Sequence, residues 1–154
     1  MKPYKIEHLA QHKDQIHKVA RWLCDEFGKK DSMGFYKSIL NHSLSETNLP
    51  QTFLALDEGK PVGTVGLWRC DMVSRQDLYP WLAALYVLPE YRNKGVGKQL
   101  QNHLLEYAKT LDYEEIYLYT DLENYYEKIG WEPVDRGITF SGEYDQIYRK
   151  SLKE

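Results

Sequence analysis

From Ile16 the apolar residues Ile16, Val19, Ala20, Leu23 and Phe27 fall three or four positions apart. That rhythm predicts a helix with one buried face, and Gly28 is a natural stop for it. Upstream, "PYKIEHL" reads as a short first strand, and downstream a second helix is expected near "GFYKSILNHSL". The stretch "TFLALDEGKPVGTVGLWRC" reads as two strands joined by a tight turn over Asp57 to Lys60. Glu-Gly-Lys between apolar runs is hairpin punctuation. "WLAALYV" is nearly continuous in apolar residues, as in a strand buried on both faces, and Pro89 closes it. A long helix follows, carrying Val96, Leu100, Leu104, Ala108 and Leu111. "EIYLYT" predicts another strand, and "ENYYEKIG" a short helix capped by Gly130. "WEPVDRGITF" and "YDQIYRKSL" form a last strand pair. The order is that of one mixed α/β domain over residues 1–154, centred on strand, turn, helix, strand, helix.

Composition agrees with this and removes several function classes. The 154 residues are 42% hydrophobic and 28% charged, ordinary for a globular chain with a single core. No apolar run approaches the ~20 residues of a membrane span, and "MKPYKIEHLA" lacks a secretory apolar segment. A cytoplasmic enzyme or binding module without a membrane partner is therefore expected. Cys24 and Cys70 are too few for a disulfide scaffold or a zinc site, and the five histidines show no metal spacing. The formal net charge of −3 argues against a nucleic-acid partner. Against that acidic background the local cluster Arg92, Lys94 and Lys98 stands out.

That cluster lies in "YRNKGVGKQLQNHLLEYAK", between the apolar strand and the long helix. Amides at a helix start have no partner inside the helix, and the helix dipole adds partial positive charge there. Gly95 and Gly97 clear space for close approach, while Arg92, Lys94 and Lys98 bring full charges. The segment from Arg92 through Asn93, Lys94, Gly95, Val96 and Gly97 to Lys98 reads as a phosphate cradle. A P-loop needs glycine five residues before the Gly-Lys pair and Ser or Thr after it; those positions are Arg92 and Gln99. A dinucleotide fingerprint needs a third glycine, where this chain has Leu100. Glycines at such a turn also serve purely conformational ends.

What remains is Arg-x-x-Gly-x-Gly after a buried strand. "LYVLPEYRNKGVGKQL" resembles the pyrophosphate-binding motif of the GNAT N-acetyltransferase superfamily, and "YYEKIGW" resembles a second family signature. The order of elements agrees along essentially the whole chain. The resemblance implies a mixed, mostly antiparallel central sheet with helices on both faces, splayed between two central parallel strands, here "WLAALYV" and "EIYLYT". It implies acetyl-CoA as acetyl donor, its pantetheine arm along Leu85, Tyr86 and Val87 and its pyrophosphate on the amides from Arg92 to Lys98. It places Tyr126 as the acid that protonates the departing thiolate and Tyr125 beside the cofactor. As bare residues, Tyr125 and Trp131 read as core aromatics.

The chemistry implied is direct attack of a primary amine on the acetyl group. An amine of pKa about 10.4 is almost wholly protonated at pH 7, so a base is required. The oxyanion needs an N–H donor, expected from a backbone amide near Val87. Many family members carry a glutamate in the central strand to help deprotonate the amine; the matching position is Ala83. Water relayed to Asp121 or Glu123 is one substitute. The asparagine that often meets the pantetheine is also missing, with Thr120 or Asn124 in its place. The acceptor is expected against "GKKDSMGFYKSILNHSL", "RCDMVSRQDLYP" and "RGITFSGEYD", whose mixture of aromatic and acidic residues suits a cationic small-molecule amine. A protein N-terminus or lysine is the second expectation, and a CoA-binding sensor with little turnover the third. A homodimer is compatible with all three.

Overall fold

The computed structural model describes residues 2–29 and 32–153. Lys30 and Asp31, inside the first acceptor-facing segment, lie outside the described residues, as do Met1 and Glu154. Among the described residues three α-helices, α1 (Ile16–Phe27), α2 (Met33–Asn41) and α3 (Val96–Thr110), flank a single sheet. Its strands are β1 (Lys5–His8), β2 (Gln51–Asp57), β3 (Lys60–Trp68), β4 (Trp81–Val87), β5 (Glu115–Thr120), β6 (Glu132–Ile138) and β7 (Tyr144–Ser151). They lie in the order β1-β2-β3-β4-β5-β7-β6. β4 and β5 are parallel, linked through α3, and the other neighbours are antiparallel.

β2 shows why the helices divide between two faces. Successive side chains of a strand point to opposite sides. Leu54 and Leu56 join Ile16, Val19, Leu23 and Leu40 in a core under α1 and α2. Phe53 and Ala55 join Leu100, Leu104 and Ala108 in the core under α3. Each of these buried leucines stabilises the fold by roughly 1.5–3 kcal/mol relative to exposure. The turn from β2 to β3 has φ 49° at Glu58 and 83° at Gly59, as a two-residue hairpin loop demands.

β4 departs from its predicted burial. Trp81, Leu82 and Ala83 are buried, but Ala84 to Val87 are only half-buried. Two irregularities explain it. β4 bulges against β3, whose pairs Thr64↔Tyr86 and Gly66↔Ala83 leave an extra residue on β4, with Ala84 at φ 52°. Bulges bend a strand and raise its local twist. On its other edge, β4 forms one ladder pair with β5 among the described residues, Trp81↔Tyr117. Beyond it the two parallel strands part, and the backbone edge from Leu82 to Val87 faces the opening.

The predicted helix over "ENYYEKIG" is instead a single tight turn, Glu127–Ile129, ending on Gly130 at φ 92°. Asn124 takes a left-handed conformation, φ 61°, which an α-helix cannot include.

Candidate active site

The start of α3 forms one end of the site. Asn93 and Gly95 have φ of 63° and 86°, and Gly95 is the N-cap. Glycine reaches that conformation at no steric cost, and the turn aims the following amides outward. The first bond of the helix runs from the Gln99 N–H to the Gly95 carbonyl at 3.0 Å. The N–H groups of Val96, Gly97 and Lys98 therefore precede the ladder, and no side chain caps the helix. Gly97 stands on the wall of a groove of about 390 Å³ that also touches Leu85, Tyr86, Val87, Arg92, Lys98 and Tyr125. A Cβ at Gly97 would enter that groove, with Val87 Cγ2 its nearest neighbour at 3.8 Å.

The predicted basic cluster divides. Arg92 and Lys98 line this groove, while Asn93 and Lys94 line a separate hollow with Lys2, Tyr4, Asp57 and Tyr91. Lys94 sits over the Tyr91 ring at 5.5 Å. Arg92 lies 5.5 Å from the Tyr86 ring centroid and 4.0 Å from the Glu26 carboxylate. Val96 points its side chain into the core, leaving only its backbone for the cradle.

A larger cavity of about 580 Å³ continues the groove over the β4–β5 opening. The two spaces share Phe27, Leu85, Leu122 and Tyr126. Tyr126 stands where they join, 8% exposed, its ring edge-on to Tyr125 at 4.9 Å and to Trp131 at 6.0 Å. Burial, and secondarily Tyr125, pushes its phenol up to about 12, above the ordinary value near 10 expected from sequence. Desolvation disfavours the phenolate, so the hydroxyl stays protonated at every physiological pH. Trp131 is a core residue, whereas Tyr125 is not: it is 47% exposed along the groove.

Walls of the larger cavity include Ala83 from β4, Tyr119 and Thr120 from β5, Asp121, Asp145, Tyr36 and Asp71. Among the described residues it is lined by three carboxylates and by no lysine or arginine. Glu123 and Asn124 line a neighbouring hollow with Asp121 and Tyr148, away from β4. Burial pushes the half-buried Asp71 carboxyl up to about 7, and Asp145 is raised by burial and by Asp121. Asp71 was not singled out by sequence. A lone aspartate between β3 and β4 carries no motif, and only its "RCDMVSRQDLYP" segment pointed here. Among the described residues, no group of three or more His, Cys, Asp or Glu is placed to hold a metal ion, and no helix is long and apolar enough to cross a membrane.

Comparison with known proteins decides the family. Residues 7–131 match the acetyltransferase (GNAT) family. The chain belongs to that family. An uncharacterized N-acetyltransferase of Methanocaldococcus jannaschii is 28% identical over 123 residues, 75% of this chain and 46% of that protein. N-alpha-acetyltransferase 30 of Schizosaccharomyces pombe is 26% identical over 121 residues, 75% of this chain and 79% of the yeast protein. The chain thus spans less than half the length of the archaeal relative. Among solved structures, an aminoglycoside 6'-N-acetyltransferase complexed with coenzyme A superposes with a TM-score of 0.70. The match covers 97% of this chain and 98% of that one at 19% identity, a likeness of fold.

The chain thus carries a domain of a family of acyltransferases whose acetyl donor is acetyl-CoA. The site's own geometry fits that donor. Three uncapped amides and two cationic side chains at one groove are complementary to an anionic diphosphate, and the open space at Gly97 is the space a Cβ would fill. Beyond Trp81 the edge of β4 toward β5 has no ladder partner among the described residues, which suits an extended, amide-bearing chain laid beside it as a strand.

Proposed function

We propose that the protein acetylates the primary amine of a small cationic molecule. The observation that carries this reading is the acidic lining of the 580 Å³ cavity at the β4–β5 opening. Three carboxylates, with Arg136 in the adjoining hollow offsetting Asp145 in part, attract an ammonium group, and the aromatic rings of Tyr36 and Tyr119 suit its apolar stem. The aminoglycoside acetyltransferase that shares the fold also supports an amine-bearing small molecule.

When bound, acetyl-CoA supplies an activated acetyl thioester. The chain's residues do the rest. The amides of Val96, Gly97 and Lys98 and the charges of Arg92 and Lys98 hold the diphosphate end, and the backbone of Leu85, Tyr86 and Val87 guides the arm into the opening. Tyr125 covers the groove from outside. Tyr126 donates a hydrogen bond toward the leaving sulfur. With its proton held to about pH 12, it stabilises negative charge there more readily than it surrenders the proton.

Acetylation of protein N-termini is the second reading, supported by the yeast N-alpha-acetyltransferase. Thiol release with acetyl-CoA, assayed against spermidine, an aminoglycoside and a tripeptide with a free N-terminus, separates the two. Turnover with the small amines is expected. Turnover with the peptide alone replaces the first reading by the second.

A further inference from the structure

Two cavities meet at one carboxylate. Asp71 and Tyr119 belong both to the cavity over the β4–β5 opening and to a second hollow of about 450 Å³. The first contains Ala83 and Tyr126, beside the edge of β4. The second is walled by Met72, Val73, Ile138 and Phe140, three of which expose large apolar surface. β4 supplies no carboxylate, since Ala83 fills the position where a proton acceptor was expected from the family pattern. Of the two acids that sequence offered instead, Glu123 lies outside the larger cavity and Asp121 is solvent-exposed. Asp71 is half-buried, and its side chain forms no hydrogen bond or ion pair among the described residues.

We propose that Asp71 is the base that takes a proton from the acceptor ammonium, while the acceptor's apolar body lies in the hollow toward Phe140. This rests on the amine-acetylation reading above. The ammonium gives one proton to a carboxylate oxygen of Asp71, and the freed nitrogen lone pair forms the N–C bond to the acetyl carbon. The C–S bond breaks with its electron pair on sulfur. Of the two protons the nitrogen loses in all, one ends on the sulfur and the other passes from Asp71 to solvent.

The surroundings of Asp71 match this task. Tyr36 faces it from α2 and Tyr119 from β5, with Cys70 beside it in the chain. Asp145 from β7 and Asp121 line the same cavity. All of these are neutral or negative at pH 7, so nothing there holds the carboxylate in its charged form. A base that titrates near neutrality both exists in the charged form and binds a proton usefully at cellular pH.

The test uses Asp71→Asn, which keeps the size of the side chain, and Asp71→Ala. In the wild type, kcat/KM for spermidine should fall as pH drops through about 7. In Asp71→Asn that inflection should vanish and activity at pH 7 should drop about 10²- to 10⁴-fold. Formate should restore part of the activity to Asp71→Ala, which has room for it. A readout independent of turnover is carboxyl NMR of the protein without acetyl-CoA. One aspartate signal titrating near pH 7 should be present in the wild type and missing from both variants. Unchanged activity and pH profile in Asp71→Asn, with wild-type turnover intact, overturns the assignment of Asp71 but leaves amine acetylation standing. An Asp71 carboxyl that titrates in the ordinary range near 4 also overturns it. Absence of turnover by the wild type with spermidine, aminoglycoside and peptide overturns the broader reading, and the assignment with it.

Discussion

The Nε–H of Arg92 donates a 2.9 Å hydrogen bond to the carbonyl of Val87. This bond ties the loop before α3 to the end of β4, so one side chain links two backbone segments that wall the groove at the start of α3. It also carries a full charge to the groove wall, near the uncapped amides of α3.

Arg92→Ala should therefore weaken binding of CoA by about tenfold to a hundredfold, the range for loss of a charged hydrogen bond. Because the lost contact is electrostatic and solvent-accessible, the affinity of the variant should depend less on ionic strength than that of the wild type. Calorimetric titration with CoA at low and high salt checks both. Equal affinities at both salt concentrations would show that Arg92 only anchors Val87.

Gly97→Val tests the cradle itself. The added Cβ meets nothing nearer than 3.8 Å, so the fold should survive with its melting temperature within a few degrees, about 1 kcal/mol. The branched side chain would, however, fill the groove where the diphosphate approaches. In the wild type, CoA at a hundredfold excess over its Kd should stabilise the fold by about 2.7 kcal/mol. The variant should show no such shift in a thermal melt. A full shift in Gly97→Val would move the diphosphate elsewhere.

The uncapped start of α3 was legible because it depends on local backbone. Gly95 and Gly97 at the start of an amphipathic helix, with basic residues around them, announce uncapped amides whatever the rest of the fold does. The pair β2–β3 was equally plain, since Glu58–Gly59 fixes the turn and the turn fixes the register. The opening of β4 from β5 was not readable from the residues themselves. "WLAALYV" has the composition of a strand buried throughout, and only the bulge at Ala84 and the lone pairing at Trp81 expose its second half. The local form of Tyr125 and Tyr126 was misread for a similar reason. "ENYYEKIG" reads as a short helix capped by Gly130, while the left-handed Asn124 forbids one before Glu127. Asp71 was invisible as a site because its meaning comes from Tyr36, Tyr119 and Asp145, which three other elements bring around it.

Tyr126→Phe keeps the ring in its contacts with Tyr125, Trp131 and Tyr148 and removes only the hydroxyl. Turnover should fall about 10²- to 10³-fold, as when a donor to a developing charge is lost, with CoA affinity nearly unchanged. Since the phenol holds its proton to about pH 12, Tyr126 should add no basic limb to the wild-type profile below about pH 10. Tyr125→Phe is the control. Its half-exposed ring lines only the groove, so kcat should change less than threefold, about 0.6 kcal/mol or less. Full activity in Tyr126→Phe would remove it from the chemistry.

The raised carboxyl of Asp71 has a consequence for stability that needs no substrate. Its pKa is about 7 in the folded chain and about 3.9 when unfolded. Between those values the folded state binds more protons than the unfolded one, so this group's contribution falls as pH rises from about 4 and levels off above about 7. Asp71→Asn removes the titration. The variant should match the wild type near pH 4 and exceed it at pH 8 by up to about 4 kcal/mol, less wherever water reaches the half-buried carboxylate. Asp145 is raised as well, while Glu7, Asp57 and Asp77 are lowered by their hydrogen-bonded partners. Those groups shape the wild-type curve but cancel in the difference between the two proteins. Urea unfolding at pH 4.5, 6 and 8 measures that difference. A constant offset across the three would mean that Asp71 ionises at its ordinary pH, and a wild type more stable than the variant at pH 8 would mean that an unseen partner stabilises the carboxylate.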